Sequence, residues 1–366
     1  MLAVACAISL AVALLLLRKW RARQLYLRLD AARQWVREQR SVADFSFAGD
    51  IRVDGRLHLR AEPNSRLKAA LGIHNSLTTA SLPEHKAFFK TAMGILKRGD
   101  RSWVTLYRVA EHFLQREIQH AAADDSRPLR LAECIRCFCL AVVLFDNFGT
   151  NPADIPREHL ATITGEINTQ WLRSKCDPAV ARSALLDKTI AALNLQAPHD
   201  PNTRMGPSQA LSLIMPQYET LWRVVLLTFI TAYHLQPAAH ADAVHRTADE
   251  GLRLYPSNKT LYRSHPSPAS TSTTTPPAQC SITALHRHPA IWGPDALAFR
   301  PARFDRLLLV DYPSRTGDGP DDAQLQLQLL QRAAYIPYSV APHRCPAGGD
   351  GGFGNRMVTC LCFGFG

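Results

Sequence analysis

The sequence predicts an α-rich α+β domain, and three observations carry that reading. From about Pro83 to Leu195 apolar residues return at helical spacing, broken near Asp124–Pro128 and near Asn147–Pro156. Ser208 to Leu235 is apolar on most sides, the pattern of a long buried helix, and Pro216 inside it is expected to kink it. One β signal stands beside these: in Asp50–Leu59 apolar residues alternate around the Asp54-Gly55 dipeptide, which predicts a hairpin. The 366 residues, 46% hydrophobic and 20% charged, suffice for a packed core in one large domain or two ordinary ones.

Taken in order, residues 1–17 come first. Met1 to Leu17 is an uncharged, almost wholly apolar run. At ~1.5 Å per residue it spans ~26 Å, close to the ~30 Å hydrocarbon core of a bilayer. Arg18-Lys19-Trp20-Arg21 follows where a signal peptide would carry its cleavage site, so a retained transmembrane anchor is expected, single-pass, with the rest cytosolic. Residues 18–44 form a basic amphipathic linker or helix, with Leu25, Leu29, Ala32 and Val36 at helical spacing. That face suits either a membrane surface or the domain itself. More than half of the net charge of +11 sits between Arg18 and Arg40, which reads as attraction to anionic lipid. No base-reading motif accompanies it, and no nucleic-acid partner is expected.

Residues 45–366 make the main domain. Its cysteines are irregularly spaced, as in a reducing compartment rather than a disulfide framework. Cys134, Cys137 and Cys139 lie in an apolar helical segment and read as small buried side chains, not zinc ligands. Residues 264–277 are low-complexity and predict a surface loop. Residues 311–331 look like an insertion, and 347–354 is glycine-rich without the Lys-Ser/Thr of a phosphate loop.

Three motifs carry chemistry. In EGLRLYP, Glu250 to Pro256, Glu250 and Arg253 are three apart and share a helix face. HRHPAIWGPDALAFRPARF, His286 to Phe304, ends in a basic cluster containing Arg303, and YIPYSVAPHRCPA, Tyr335 to Ala347, contains the single Cys345. Taken alone, each has an ordinary reading: a surface ion pair, a loop, a buried thiol. In this order they resemble the C-terminal half of the cytochrome P450 superfamily, specifically the fungal microsomal haem-thiolate monooxygenases, over about residues 205 to 360.

That resemblance implies a cytochrome P450 fold behind an N-terminal transmembrane helix, with a C-terminal end that is incomplete against the family pattern. It implies that Glu250, Arg253 and Arg303 form a buried structural triad. Cys345 would be the axial ligand of haem b, in a family loop where Tyr338 stands for Phe and Ala341 and Ala347 for Gly. His343 takes the place of a propionate-binding Arg, and Arg344 beside it can substitute. Glu219 and Thr220 match the acid–alcohol pair that delivers protons to iron-bound dioxygen, while Pro216 and Gln217 replace the small residues that usually precede it. After Cys345 the glycines delay the next helix to about Asn355.

The activity implied is insertion of one oxygen atom from dioxygen into a small apolar substrate. Electrons would come from NADPH through NADPH-cytochrome P450 reductase, with cytochrome b5 as an optional second donor, at the endoplasmic reticulum membrane. Two alternatives stand: a degenerate or truncated relative without oxygenase activity, and a haem-thiolate isomerase or dehydratase that needs no outside electrons.

Overall fold

The computed structural model describes the backbone of residues 2–97, 100–122, 130–198, 200–241, 243, 246–266, 276–308, 320–348 and 352–363. Helices dominate it. The chain runs α1 (Leu2–Asp44), α2 (Val53–Ala61), α3 (Ser65–Leu71), α4 (Leu82–Leu96), α5 (Asp100–Ala122), α6 (Leu131–Phe148), α7 (Arg157–Cys176) and α8 (Ala184–Ala192). A short antiparallel pair follows, β1 (Gln196–Ala197) with β2 (Asp200–Arg204), and then α9 (Pro207–Phe229), which passes into a π-turn at Ile230–Leu235. Next come α10 (Pro237–Ala241), α11 (Thr247–Leu254), the antiparallel strands β3 (Thr260–Arg263) and β4 (Ala278–Ser281), and α12 (Ile282–Arg287). The chain closes with α13 (Pro289–Trp292), α14 (Arg303–Leu308), α15 (Pro320–Ala334) and α16 (Phe353–Phe363).

Among the described residues two large cores hold most of these elements, and a small third cluster groups Ala232, Leu254 and Phe299. The larger lies among α3, α5, α6, α7, α8, α9 and α16. At its centre is α6, whose residues Cys137 to Leu144 are all essentially inaccessible, so a helix apolar all round is sandwiched on all sides. Cys134, Cys137 and Cys139 are buried there, and burial raises each thiol, to about 12 for Cys134 and about 11 for Cys137. No metal-binding cluster occurs among the described residues. The smaller core joins α1 to β4, α12, α13, α14 and α15. Leu29, Ala32 and Val36 of α1 are buried in it, so this face packs on the domain.

The hairpin expected at Asp50–Leu59 is not formed. Val53 to Ala61 is helical, and Asp54 sits in the first turn, where a carboxylate complements the helix dipole. Leu57 and Leu59 are both buried, so the alternation is that of a short helix with protein on more than one side. Strands arise instead where none were expected, at β3 and β4, which bracket the low-complexity segment 264–277; residues 267–275 of it lie outside the described residues. The break near Asp124–Pro128 also lies outside them, and the break near Asn147–Pro156 is present. Within 311–331, residues 311–319 are not described, while the remainder belongs to α15, whose Leu330 and Ala334 enter the smaller core.

Residues 2–44 form one continuous helix across the expected anchor and the basic segment. Among the described residues no helix is long and apolar enough to cross a membrane; the side chains of residues 1–15 lie outside them.

Candidate functional site

A cavity of about 330 Å³ separates α9 from the loop that carries Cys345. The loop is shaped by its own backbone. Ser339 has φ 61° and Cys345 N donates to Tyr338 O at 2.8 Å, which turns the chain back on itself. The left-handed residue is thus Ser339, and Ala341 carries no Cβ penalty of the kind a positive φ imposes. Cys345 has exposed surface and lines the cavity. The protein packed around it pushes the thiol up, while the backbone N–H groups of Ala347 and Gly348 and the Arg344 guanidinium pull it down.

Opposite the thiol, α9 presents Glu219 and Thr220 to the same cavity. The structure therefore brings together Cys345, His343, Arg344, Glu219 and Thr220. Both members of the acid–alcohol pair have local partners. Glu219 is buried, pairs with Arg223 one turn on, and accepts from Trp222 Nε1 at 3.2 Å. Thr220 Oγ1 donates to Pro216 O, one turn back along α9, at 2.7 Å.

A cluster of basic groups forms one wall. Arg60, His85, Arg263, His343 and Arg344 all line the cavity. Arg60 and Arg263 are 5% and 4% exposed, and among the described residues neither pairs with a carboxylate. Arg60 Nη2 donates to His85 Nδ1 at 3.4 Å, and Arg263 Nη1 to Tyr262 O at 2.8 Å, with the Arg263 guanidinium 4.7 Å from the Phe45 ring centre. Burial lowers both arginines to about 10, and the charge of Arg263 adds to the effect on Arg60. His343 packs edge-on to Phe45 and His85, and neither ring nitrogen has a hydrogen-bond partner among the described residues. Burial, then the charge of Arg60, lowers it to about 3. Arg60, Arg263 and Arg344 give this wall the charge that could hold an anion such as a carboxylate. Sequence reading missed Arg60, His85 and Arg263. They come from α2, α4 and β3 and carry no shared spacing, so no sequence signal marked them.

Away from the cavity, Glu250, Arg253 and Arg303 meet. Arg253 and Glu250 are inaccessible to solvent and form a two-toothed pair, Nε to Oε2 and Nη2 to Oε1, both 2.7 Å. Arg303 Nε reaches Glu250 Oε1 at 3.1 Å. The remaining donors go to backbone: Arg253 Nη1 to His286 O and Ala296 O, Arg303 Nη1 to Trp292 O. The Arg300 N–H adds a further bond to Glu250 Oε1 at 2.8 Å. A buried pair with its lone pairs and protons satisfied in this way ties together the loops that donate those carbonyls, and it lines no part of the cavity.

No family model and no curated protein matches the sequence. Among solved structures, the fold is similar to a six-coordinated cytochrome P450 from Thermus thermophilus, with a TM-score of 0.51 at 20% identity. The match covers 84% of this chain and 77% of that one. With the helical layout, the cysteine loop facing α9 and the Glu250–Arg253–Arg303 cluster already in place, this likeness gives the conclusion that the chain has a cytochrome P450 fold.

Proposed function

We propose that this chain is a haem-thiolate monooxygenase of the fungal microsomal type, anchored by its N-terminal segment to the endoplasmic reticulum. It would act on a small apolar organic substrate and draw electrons from NADPH through NADPH-cytochrome P450 reductase, with cytochrome b5 as a second donor. One observation carries the reading: a thiol, an acid–alcohol pair and a basic wall surround one cavity.

The residues present fit haem b. Cys345 offers a thiol whose rise on burial is opposed by the backbone N–H groups of Ala347 and Gly348 and by the Arg344 charge, influences that favour a thiolate. Arg60 and Arg263 are buried cations without carboxylate partners among the described residues, which suits two propionates. His343 and Arg344 flank the same place. When bound, haem with a thiolate ligand supplies oxygen activation and cleavage of the O–O bond. The chain's part is to hold the thiolate, neutralise the propionates, exclude water and keep a proton source at Glu219 and Thr220.

The Glu219–Arg223 pair supports a second reading, a haem-thiolate protein that rearranges or dehydrates its substrate without outside electrons, or one that has lost oxygenase activity. An acid held by a neighbouring guanidinium and an indole is less free to relay protons.

The reduced, carbon-monoxide-bound absorption spectrum tests the first step. A thiolate-type Soret band that disappears in Cys345→Ala is expected; absence of haem uptake sinks the monooxygenase and the isomerase or dehydratase together and leaves the degenerate relative. NADPH consumption with a reductase and candidate apolar substrates then divides oxygenase from non-oxygenase.

A further inference from the structure

Tyr338 stands where the resembled motif has Phe, so its hydroxyl is an addition, and that hydroxyl is engaged. It donates to Asn355 Oδ1 at 2.7 Å, and Asn355 Nδ2 in turn donates to Asp249 Oδ1. Tyr335 OH also reaches Asp249, donating to its backbone carbonyl at 3.1 Å. Three pieces of the chain meet here: the loop before Cys345, the first turn of α16, and α11 one residue before Glu250.

The rest of Tyr338 is equally committed. Its ring lies against Gly348 and Gly354; a Cβ on Gly348 would come within 2.5 Å of the Tyr338 side chain, and one on Gly354 would strike the ring and hydroxyl. Its carbonyl accepts the Cys345 N–H at 2.8 Å. Ring, hydroxyl and carbonyl of one residue therefore each hold a different partner. The covalent route from Cys345 to α16 passes through Gly348, Gly349, Gly351 and Gly352, a composition with no intrinsic preference for helix. A lateral brace counts most where the direct connection contributes least.

We propose that Tyr338 is a positioning residue for Cys345: through Asn355 and Asp249 its phenol braces the cysteine loop against α16 and α11 and fixes how the thiol meets the cavity. The role of the thiol as a haem ligand rests on the function proposed above; the brace itself does not.

The test uses the full chain as purified. Tyr338→Phe keeps the ring and removes the hydroxyl, Asn355→Ala removes the middle link, and Asp249→Asn keeps an oxygen for Asn355 to reach. The main readout is the rate at which iodoacetamide labels Cys345, resolved by peptide mass spectrometry, with exposed Cys176 as internal control. Loss of one such bond is expected to speed labelling of Cys345 about fivefold in Tyr338→Phe and in Asn355→Ala, with no further gain in the double variant. Asp249→Asn should stay within about twofold of the parent, as the retained bond predicts. The reduced carbon-monoxide spectrum of the first two variants should show a growing fraction lacking the thiolate-type band. Unchanged Cys345 labelling in Tyr338→Phe overturns the proposal, as does a rise shared equally by buried Cys139, which would mean general loosening. If the protein takes up no haem, the functional reading fails on the spectrum while the labelling still decides the brace.

Discussion

The imidazole of His286 accepts the backbone N–H of Ile336 at 3.0 Å through Nε2, while its Nδ1 faces the carbonyl of Arg253 at 3.2 Å. Both contacts are satisfied by one species, the neutral ring with its proton on Nδ1. His286 is wholly buried, and burial, followed by the charge of Arg253, lowers it to about 3. One neutral ring thus couples the charged cluster around Glu250 to the segment that leads into the cysteine loop.

A pH dependence follows. The unfolded chain protonates this histidine near 6.5 and the folded chain near 3, so between these values the unfolded state binds more protons. His286 therefore makes stability rise with pH through that window, by at most about 1.4 kcal/mol per pH unit. Urea unfolding from pH 4.5 to 7 should show this component in the parent and lose it in His286→Gln. Equal slopes in the two proteins would count against it.

Glu250→Gln should be severe. It leaves Arg253 buried with no carboxylate and weakens Arg303 as well, and breaking a buried pair on one side costs about 3–5 kcal/mol. Arg303→Lys keeps the charge and loses the fork, so a smaller loss, about 1–2 kcal/mol, is expected. Denaturant midpoints at constant m-value give the comparison.

Removing one cation from the basic wall should act in opposite directions on two measurements. Arg60→Met relieves a buried charge close to Arg263, so the chain without haem gains stability, about 1–3 kcal/mol. If the haem reading holds, the same variant should hold haem at least about tenfold less tightly, since a charge-assisted bond to a carboxylate is worth about 1.5–3 kcal/mol. Unfolding of haem-free protein and haem transfer to an acceptor globin measure the two effects.

If the oxygenase reading holds, Glu219→Gln should lower turnover by about 10²-fold or more, the usual scale for a positioned proton source. Arg223→Met releases Glu219 from its partner and should leave turnover equal or higher, provided the chain still folds. A fall of similar size in both variants would instead mark the pair as structural.

Much of this molecule was readable in the sequence, and the reason is periodicity. The long buried helix expected at Ser208–Leu235 is formed by α9 and its π-turn, because an all-round apolar pattern has one solution in a crowded core. Glu250, Arg253 and Arg303 could be named together because their segments come in a recognisable order, and the structure brings them into contact. Asp50–Leu59 misled, since a short apolar alternation fits either a strand or a helix buried on two sides, and only tertiary neighbours decide between them. The basic wall was invisible for another reason. Arg60, His85 and Arg263 come from three distant elements, and nothing local distinguishes a buried arginine from a surface one. The helix after the cysteine begins at Phe353, two residues before the expected Asn355, because Phe353 gains burial in the larger core.

The smaller core has a consequence for how the chain is made. Its first helix is tied to its last third: Arg33 bonds Gln326, and Arg40 bonds the carbonyl of Ala333, each across 293 residues. During synthesis the buried face of α1 must wait through most of translation before α15 emerges to cover it. Contacts of such sequence separation close late and are costly in loop entropy. Leu29, Ala32 and Val36 are therefore an exposed apolar stripe on the nascent chain, the stretch on which a chaperone, or an incorrect partner, has the longest time to act.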